Sequence, residues 1–104
     1  MIQIRPSSTF PIVRQINDPS DATTYYVRAV IRDSISGVTL DTVNLVDQGG
    51  QRFTYNYPAP QDGSGFGRYI DVTTTVYSDS GYTTRTGVYA DENQTYVVKE
   101  YTGN

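Results

Sequence analysis

The residues of this chain that could do chemistry are mainly carboxylates in predicted turns and loops. These acidic residues are Asp18, Asp21, Asp62, Asp79, Asp91 and Glu92. Loop carboxylates can bind Ca²⁺ through their oxygen atoms, but the spacing here does not follow that of a defined calcium-binding loop. Aspartate also accepts hydrogen bonds from backbone N–H groups in turns, which is its more common role there. We therefore predict that the chain holds no metal ion.

Two residue types on which many enzymes depend are missing. The sequence contains no His and no Cys, which excludes serine–histidine and cysteine–histidine pairs and zinc sites built from these ligands. The glycines at 63, 65 and 67 are not followed by the Lys-Ser or Lys-Thr of a phosphate-binding loop. We predict that the protein is not an enzyme and binds no cofactor.

Charge and hydropathy narrow the class of partner. The formal net charge is -3 and the pI is about 4.6, which argues against nucleic acid and anionic membranes, because both attract basic surfaces. No apolar run is long enough to span a membrane, and the first six residues do not resemble a signal peptide. The sequence therefore predicts a protein made in the cytoplasm.

The elements that must position any site are strands. Residues 69–77 alternate so that Ile70, Val72, Thr74 and Val76 share one face, which predicts a half-buried strand. The turn at 78–81 should fold residues 82–88 back as its antiparallel partner. Further strands are predicted at 24–32, 38–46, 51–57 and 94–101. A change of buried face within 38–46 predicts a bulge or bend near 41–43. About seven strands and no helical periodicity indicate an all-β, antiparallel β-sandwich.

The first part of the chain has a different composition. Residues 1–23 are predicted to be an extended N-terminal arm and a first edge strand, interrupted by Pro6 and Pro11, and residues 24–104 to be the sandwich of a single domain. The arm either pairs with its own sheet or reaches a neighbouring molecule. If left exposed, its apolar residues Ile2, Ile4 and Phe10 would bind a partner.

Tyrosine and arginine supply the other candidate contacts. The chain has ten Tyr, and all but one of its eight basic residues are Arg, the cation suited to interfaces. Both residue types are enriched at binding hot spots. The predicted partner-binding residues on the outer strand face and in loops are Tyr26, Arg28, Phe66, Tyr69, Tyr77 and Tyr82. Alternatively, these side chains form cross-strand pairs that only stabilise a solvated sheet face.

Several segments together resemble the small immunoglobulin-like structural proteins of tailed bacteriophages. They are Tyr25–Asp33 leading to Ser36-Gly37, Tyr69–Tyr77, the turn from Ser78 to Thr84, and Tyr96-Val97-Val98. The resemblance implies an immunoglobulin-like sandwich that forms part of a virion and acts by repeated protein–protein contact. Its partners would be other virion proteins and copies of itself.

Two functions are therefore expected from the sequence. The first is a non-enzymatic virion component, which would decorate the head, connect head to tail, or form part of the tail or a fibre. The alternative is a carbohydrate-binding or adhesion module, in which exposed tyrosines stack on sugar rings of a glycan. The absence of Trp weakens this alternative.

Overall fold

The computed structural model describes residues 2–19, 24–61 and 67–99, which form eight strands and no helix. The strands are β1 (Ile2–Ile4), β2 (Thr9–Gln15), β3 (Tyr26–Asp33), β4 (Thr39–Asn44), β5 (Val46–Asp47), β6 (Arg52–Pro58), β7 (Arg68–Tyr77) and β8 (Glu92–Val98). The predicted all-β class is confirmed. Within these ranges there is accordingly no helix that is long and apolar enough to cross a membrane.

The strands form two sheets. One has five strands in the order β1-β8-β7-β3-β4, and the other has three in the order β2-β6-β5. All pairings are antiparallel except that of β1 with β8. The long strands β3 and β7 pair over the whole of β3, from Tyr26 opposite Tyr77 to Asp33 opposite Ile70. Both strands have a neighbour on each side, so they form the centre of the larger sheet.

Alternation along the strands puts one face of each sheet into a common core. The predicted inner face of β7 is buried, with Ile70, Val72, Thr74 and Val76 each at most 5% exposed. On β3 the inner residues Val27, Ala29 and Ile31 are fully buried, also as predicted. Side chains of the two sheets meet in this core. Phe10 of β2 and Tyr96 of β8, for example, have ring centroids 4.7 Å apart.

The N-terminal segment does not extend away from the sheets, so of the two outcomes left open for the arm, residues 2–19 show pairing with the chain's own sheets. β1 pairs with β8, and β2 is an edge strand of the smaller sheet. The reason lies in the pattern of β2 and the residue after it, because the alternate residues Phe10, Ile12, Arg14 and Ile16 are all buried. This segment gains more free energy by completing the core than by remaining exposed.

The predicted irregularity in residues 38–46 is present but is divided between two positions. The register of β4 on β3 shifts because Ile31 and Arg32 pair with Asp41 and Thr39, which leaves Leu40 unpaired. The chain then passes to the other sheet at Leu45, whose N–H donates to the carbonyl of Val27. The buried face changes between Leu40, which packs partly against the core, and Val43, which is buried, so the change lies at the predicted place near 41–43 and before the change of sheet.

The predicted hairpin partner of β7 is wrong. Residues 82–88 form no strand and contribute only an isolated bridge between Arg85 and Tyr77. The next strand along the chain that pairs with β7 is instead β8, which begins at Glu92 and lies on the side of β7 opposite β3. Between β7 and β8, residues 78–91 form a loop whose backbone is held by side chains, and this loop builds the candidate site.

Candidate functional site

Asp79 organises the loop that follows β7. Its Oδ1 accepts hydrogen bonds from the N–H groups of Thr83 and Thr84, at 3.0 and 2.8 Å, and its Oδ2 accepts one from the Thr83 hydroxyl at 2.6 Å. Tyr82 donates its N–H to the carbonyl of Asp79 and has a φ of 55°, which reverses the chain. Side-chain acceptors of this kind compete with a β-ladder, which explains why no hairpin forms.

The reversed backbone returns the Tyr82 ring to the outer face of the larger sheet. Its ring centroid lies 5.6 Å from that of Tyr77 and 6.2 Å from that of Tyr26, both in edge-to-face geometry. The guanidinium carbon of Arg28 lies 4.3 Å from the Tyr82 ring centroid, a cation–π distance. We refer to Tyr26, Arg28, Tyr77 and Tyr82 as the tyrosine–arginine cluster.

The central strands fix the rest of the cluster. Tyr26 and Tyr77 are direct cross-strand partners, so their side chains share a face. Arg28 is two residues along β3 and therefore points to the same face, where its Nε donates to Oδ1 of Asn44 on β4 at 3.0 Å. All four side chains of the cluster are half-buried, and each ring or guanidinium is oriented by a neighbour.

The outer face beyond the cluster is polar. The Thr73 hydroxyl donates to Oδ1 of Asn93 at 2.9 Å, and the Thr95 hydroxyl donates to Oδ1 of Asp71 at 2.7 Å. These pairs cross from β7 to β8. They pair polar groups of the outer face beside the aromatic rings of the cluster. Such an arrangement offers ring surfaces, hydroxyls and one guanidinium to a partner, and these groups are suited to binding.

The structure brings together only some of the predicted contact residues. Tyr69 lies on the outer face at the opposite end of β7 and is 36% exposed. Ile2 is 47% exposed on β1, whereas Ile4 packs partly against the core. Phe10 is 4% exposed, so its prediction as a contact residue is wrong, because the alternation of β2 turns it inward. Phe66 lies outside the described residues.

One buried charge was missed by the sequence reasoning. Arg14 is 4% exposed, and its Nη1 donates to the carbonyl and the hydroxyl of Thr74 at 3.3 and 3.2 Å. Its Nη2 donates to the carbonyl of Ala90 at 2.8 Å, which ties the end of the 78–91 loop to the core. Its Nε lies 3.5 Å from a carboxylate oxygen of Glu92 but donates no hydrogen bond.

No group of three or more potential metal ligands occurs among the described residues. Comparisons of the chain with protein families, with curated proteins and with solved structures give no match. The function must therefore be argued from the geometry of the described residues.

Titration of the loop provides a direct test of how the cluster is held. The Thr83 hydroxyl and then the Thr84 N–H favour the charged carboxylate, and they lower the pKa of Asp79 below its ordinary value of 3.8. The stabilisation that Asp79 gives the loop is therefore complete above 3.8 and is lost as the pH falls through the lower, folded-state pKa. We expect the amide NMR shifts of Thr83 and Thr84 to titrate with a midpoint below 3.8.

The matched control is Asp79→Asn, in which this titration of the two amides should disappear. A midpoint at or above 3.8 in the unmodified protein would show that Asp79 does not hold the loop as its carboxylate.

Proposed function

We propose that the chain is an immunoglobulin-like β-sandwich that serves as a non-enzymatic structural protein in the virion of a tailed bacteriophage. The order of the strands supports the fold. Immunoglobulin domains combine a sheet containing strands B, E and D with a sheet containing G, F and C, to which variable-type domains add C′. The orders β2-β6-β5 and β8-β7-β3-β4 correspond to B-E-D and G-F-C-C′. Buried residues from both sheets in one cluster also agree with a sandwich.

The observation that carries the functional proposal is the return of Tyr82 onto Tyr26, Tyr77 and Arg28. A loop segment that only joined two strands would not need an aromatic ring stacked on the outer sheet face. Stacked, half-buried tyrosines next to an arginine lose little side-chain entropy when a partner covers them, because their neighbours already restrict their orientations. The cluster is therefore suited to a protein partner that lies flat on the larger sheet, as another virion protein would.

The proposed function is tested by finding the protein in particles and then removing the cluster. We expect mass spectrometry to detect the protein in virions purified from lysates of its natural source. Tyr82→Ala in the phage genome should weaken binding to the neighbouring virion protein by about 2 kcal/mol, which is roughly a 30-fold loss of affinity. The measurement is the amount of the protein per particle.

The control for this experiment is Tyr69→Ala, which removes a tyrosine from the same sheet face but outside the cluster. Its incorporation into particles should be close to that of the unmodified protein. Thermal unfolding of both purified variants shows whether they remain folded. Folded Tyr82→Ala protein that enters particles normally would contradict the role of the cluster, and absence of the protein from purified virions would contradict the virion assignment itself.

The alternative of a carbohydrate-binding or adhesion module has one observation in its favour, the exposure of Tyr69 on the outer face. The cluster favours it less, because the Arg28 guanidinium already lies over the Tyr82 ring. A glycan array separates the two functions. Glycan binding that is lost in Tyr69→Ala or Tyr77→Ala would support the module, and binding that is unaffected by both changes would exclude these rings as its platform.

A further inference from the structure

The first strand is the least firmly attached element of the larger sheet. β1 pairs only with β8, through three residues, Ile2 opposite Tyr96, Gln3 opposite Val97 and Ile4 opposite Val98. Ile2 is 47% exposed, so Ile4 is the main contact of this strand with the core. We propose that β1 is an exchangeable strand, which leaves its own β8 and pairs with β8 of a second copy of this chain in the same parallel register.

The segment between β1 and β2 has the properties of a strained hinge. It contains Pro6, and Ser7 has a φ of 64°, in the left-handed region that side chains other than glycine rarely adopt. The turn is closed locally by Ser8, whose N–H and hydroxyl both donate to the carbonyl of Arg5. Opening the hinge lets Ser7 return to an extended conformation, and short strained hinges favour the exchange of an element between copies.

The edge of β8 that pairs with β1 determines which partner fits. The N–H of Lys99 donates to the carbonyl of Ile4 at 3.0 Å, so β8 directs alternate backbone groups to this edge. A second copy donates the identical strand to the identical edge. Every contact between β1 and β8 is therefore made again after exchange, and no new complementarity is needed. This is the reason for assigning the occupant as a second copy of this chain.

The same side of the molecule has room for a neighbour. Among the described residues, no strand pairs with the edge of β8 that faces away from β7 beyond the three positions opposite β1, and Asn93 of β8 lines a groove of about 400 Å³. Ile12, Val72 and Tyr96 contribute apolar lining. The four-residue hinge spans at most about 14 Å when extended, so the neighbour must lie against this side. It then covers the groove and Val13, which is 40% exposed.

Because the sequence contains no Cys, the introduced cysteines are the only thiols in each variant. Gln3→Cys and Val97→Cys are made in separate, isotopically distinguished proteins, which are mixed at high concentration and oxidised. If β1 exchanges, the Gln3→Cys and Val97→Cys proteins form a mixed disulfide dimer, because the exchanged register places the two thiols side by side. We expect about ten times more of it than of the mixed dimer between Gln3→Cys and the control Thr42→Cys, since pairing raises the effective thiol concentration. Thr42 is exposed on β4, at the far edge of the same sheet.

Two further variants keep the test decisive. The double variant Gln3→Cys/Val97→Cys, oxidised when dilute, should form an intrachain bridge and so show that the two positions can be joined. Ser7→Gly relieves the strain of the closed hinge and should lower the yield of the exchanged dimer several-fold. Mixed-dimer yields equal to the Thr42→Cys control, with the intrachain bridge present, would overturn the exchange. An unchanged yield in Ser7→Gly would overturn the role of the hinge. Neither outcome depends on the proposed virion function, because the assay uses the purified protein alone.

Discussion

Replacing Ile31 with alanine should lower the free energy of unfolding by about 2 to 5 kcal/mol, because it removes three buried carbons and leaves a cavity. Ile31 is fully buried on β3, which lies between β7 and β4, so backbone movement can fill little of the space. Small domains are stable by only about 5 to 15 kcal/mol, so the loss is a large fraction of the total. Denaturant unfolding of the purified variant measures it.

The matched control is Val30→Ala on the opposite face of the same strand. Val30 is only partly buried, and a change there should cost about 1 kcal/mol or less. If both variants lost the same stability, or if Ile31→Ala lost well under 1 kcal/mol, the inner and outer faces of β3 would be assigned the wrong way round.

The faces of the long strands could be predicted because a strand alternates its side chains without exception along regular stretches. Val27, Ala29 and Ile31 on β3 and Ile70, Val72 and Val76 on β7 are apolar and share one face of each strand, with Thr74 between the last two, and all are buried. No local competitor to the ladder exists within these segments. The pattern of the sequence and the requirement for a core therefore lead to the same structure.

The loop after β7 could not be predicted from alternation, since side-chain hydrogen bonds determine its path. Asp79 followed by Thr83 and Thr84 offers a carboxylate to two backbone N–H groups, and this local capture replaces the expected strand. An aspartate in a turn followed by threonines is a sequence signal for this local hydrogen bonding. Whether it prevails over the strand propensity of residues 82–88 depends on the tertiary contacts of Tyr82.

In the N-terminal segment, prolines and alternation are competing signals. Its prolines suggested an arm, but Pro11 is compatible with β2 because β2 is an edge strand. The N–H of Ile16 donates to the carbonyl of Gln51, so the backbone groups of odd-numbered residues such as Pro11 point to the free edge. The missing N–H of proline therefore costs no hydrogen bond there. The alternation of Phe10, Ile12 and Ile16 was the stronger signal, and it also placed Arg14 in the core.

Replacing Arg14 with leucine should destabilise the protein by about 2 to 4 kcal/mol. Two effects oppose each other in this substitution. Leucine avoids the desolvation of a buried guanidinium, which makes apolar replacement of buried ion pairs neutral or even favourable in many proteins. However, Thr74 loses the donor to its carbonyl and hydroxyl, and Ala90 loses the donor to its carbonyl. Each buried group of Thr74 left without a partner costs about 1 to 3 kcal/mol, whereas Ala90 is exposed and its carbonyl can bind water instead.

The loss of hydrogen bonds outweighs the benefit of removing the buried guanidinium. The buried acceptors that lose their donor belong to Thr74 and not to the salt-bridge partner Glu92. Glu92 is 65% exposed and returns to water when Arg14 is removed, so Glu92→Gln should cost less than about 1 kcal/mol. Thr74 is 5% exposed and has no such route. We therefore expect Thr74→Val to cost less in the Arg14→Leu protein than in the unmodified protein, since the unpaired hydroxyl is then removed. Equal costs of Thr74→Val in both backgrounds would show that Arg14 acts through its ion pair or its packing, and that its hydrogen bonds to Thr74 contribute little to stability.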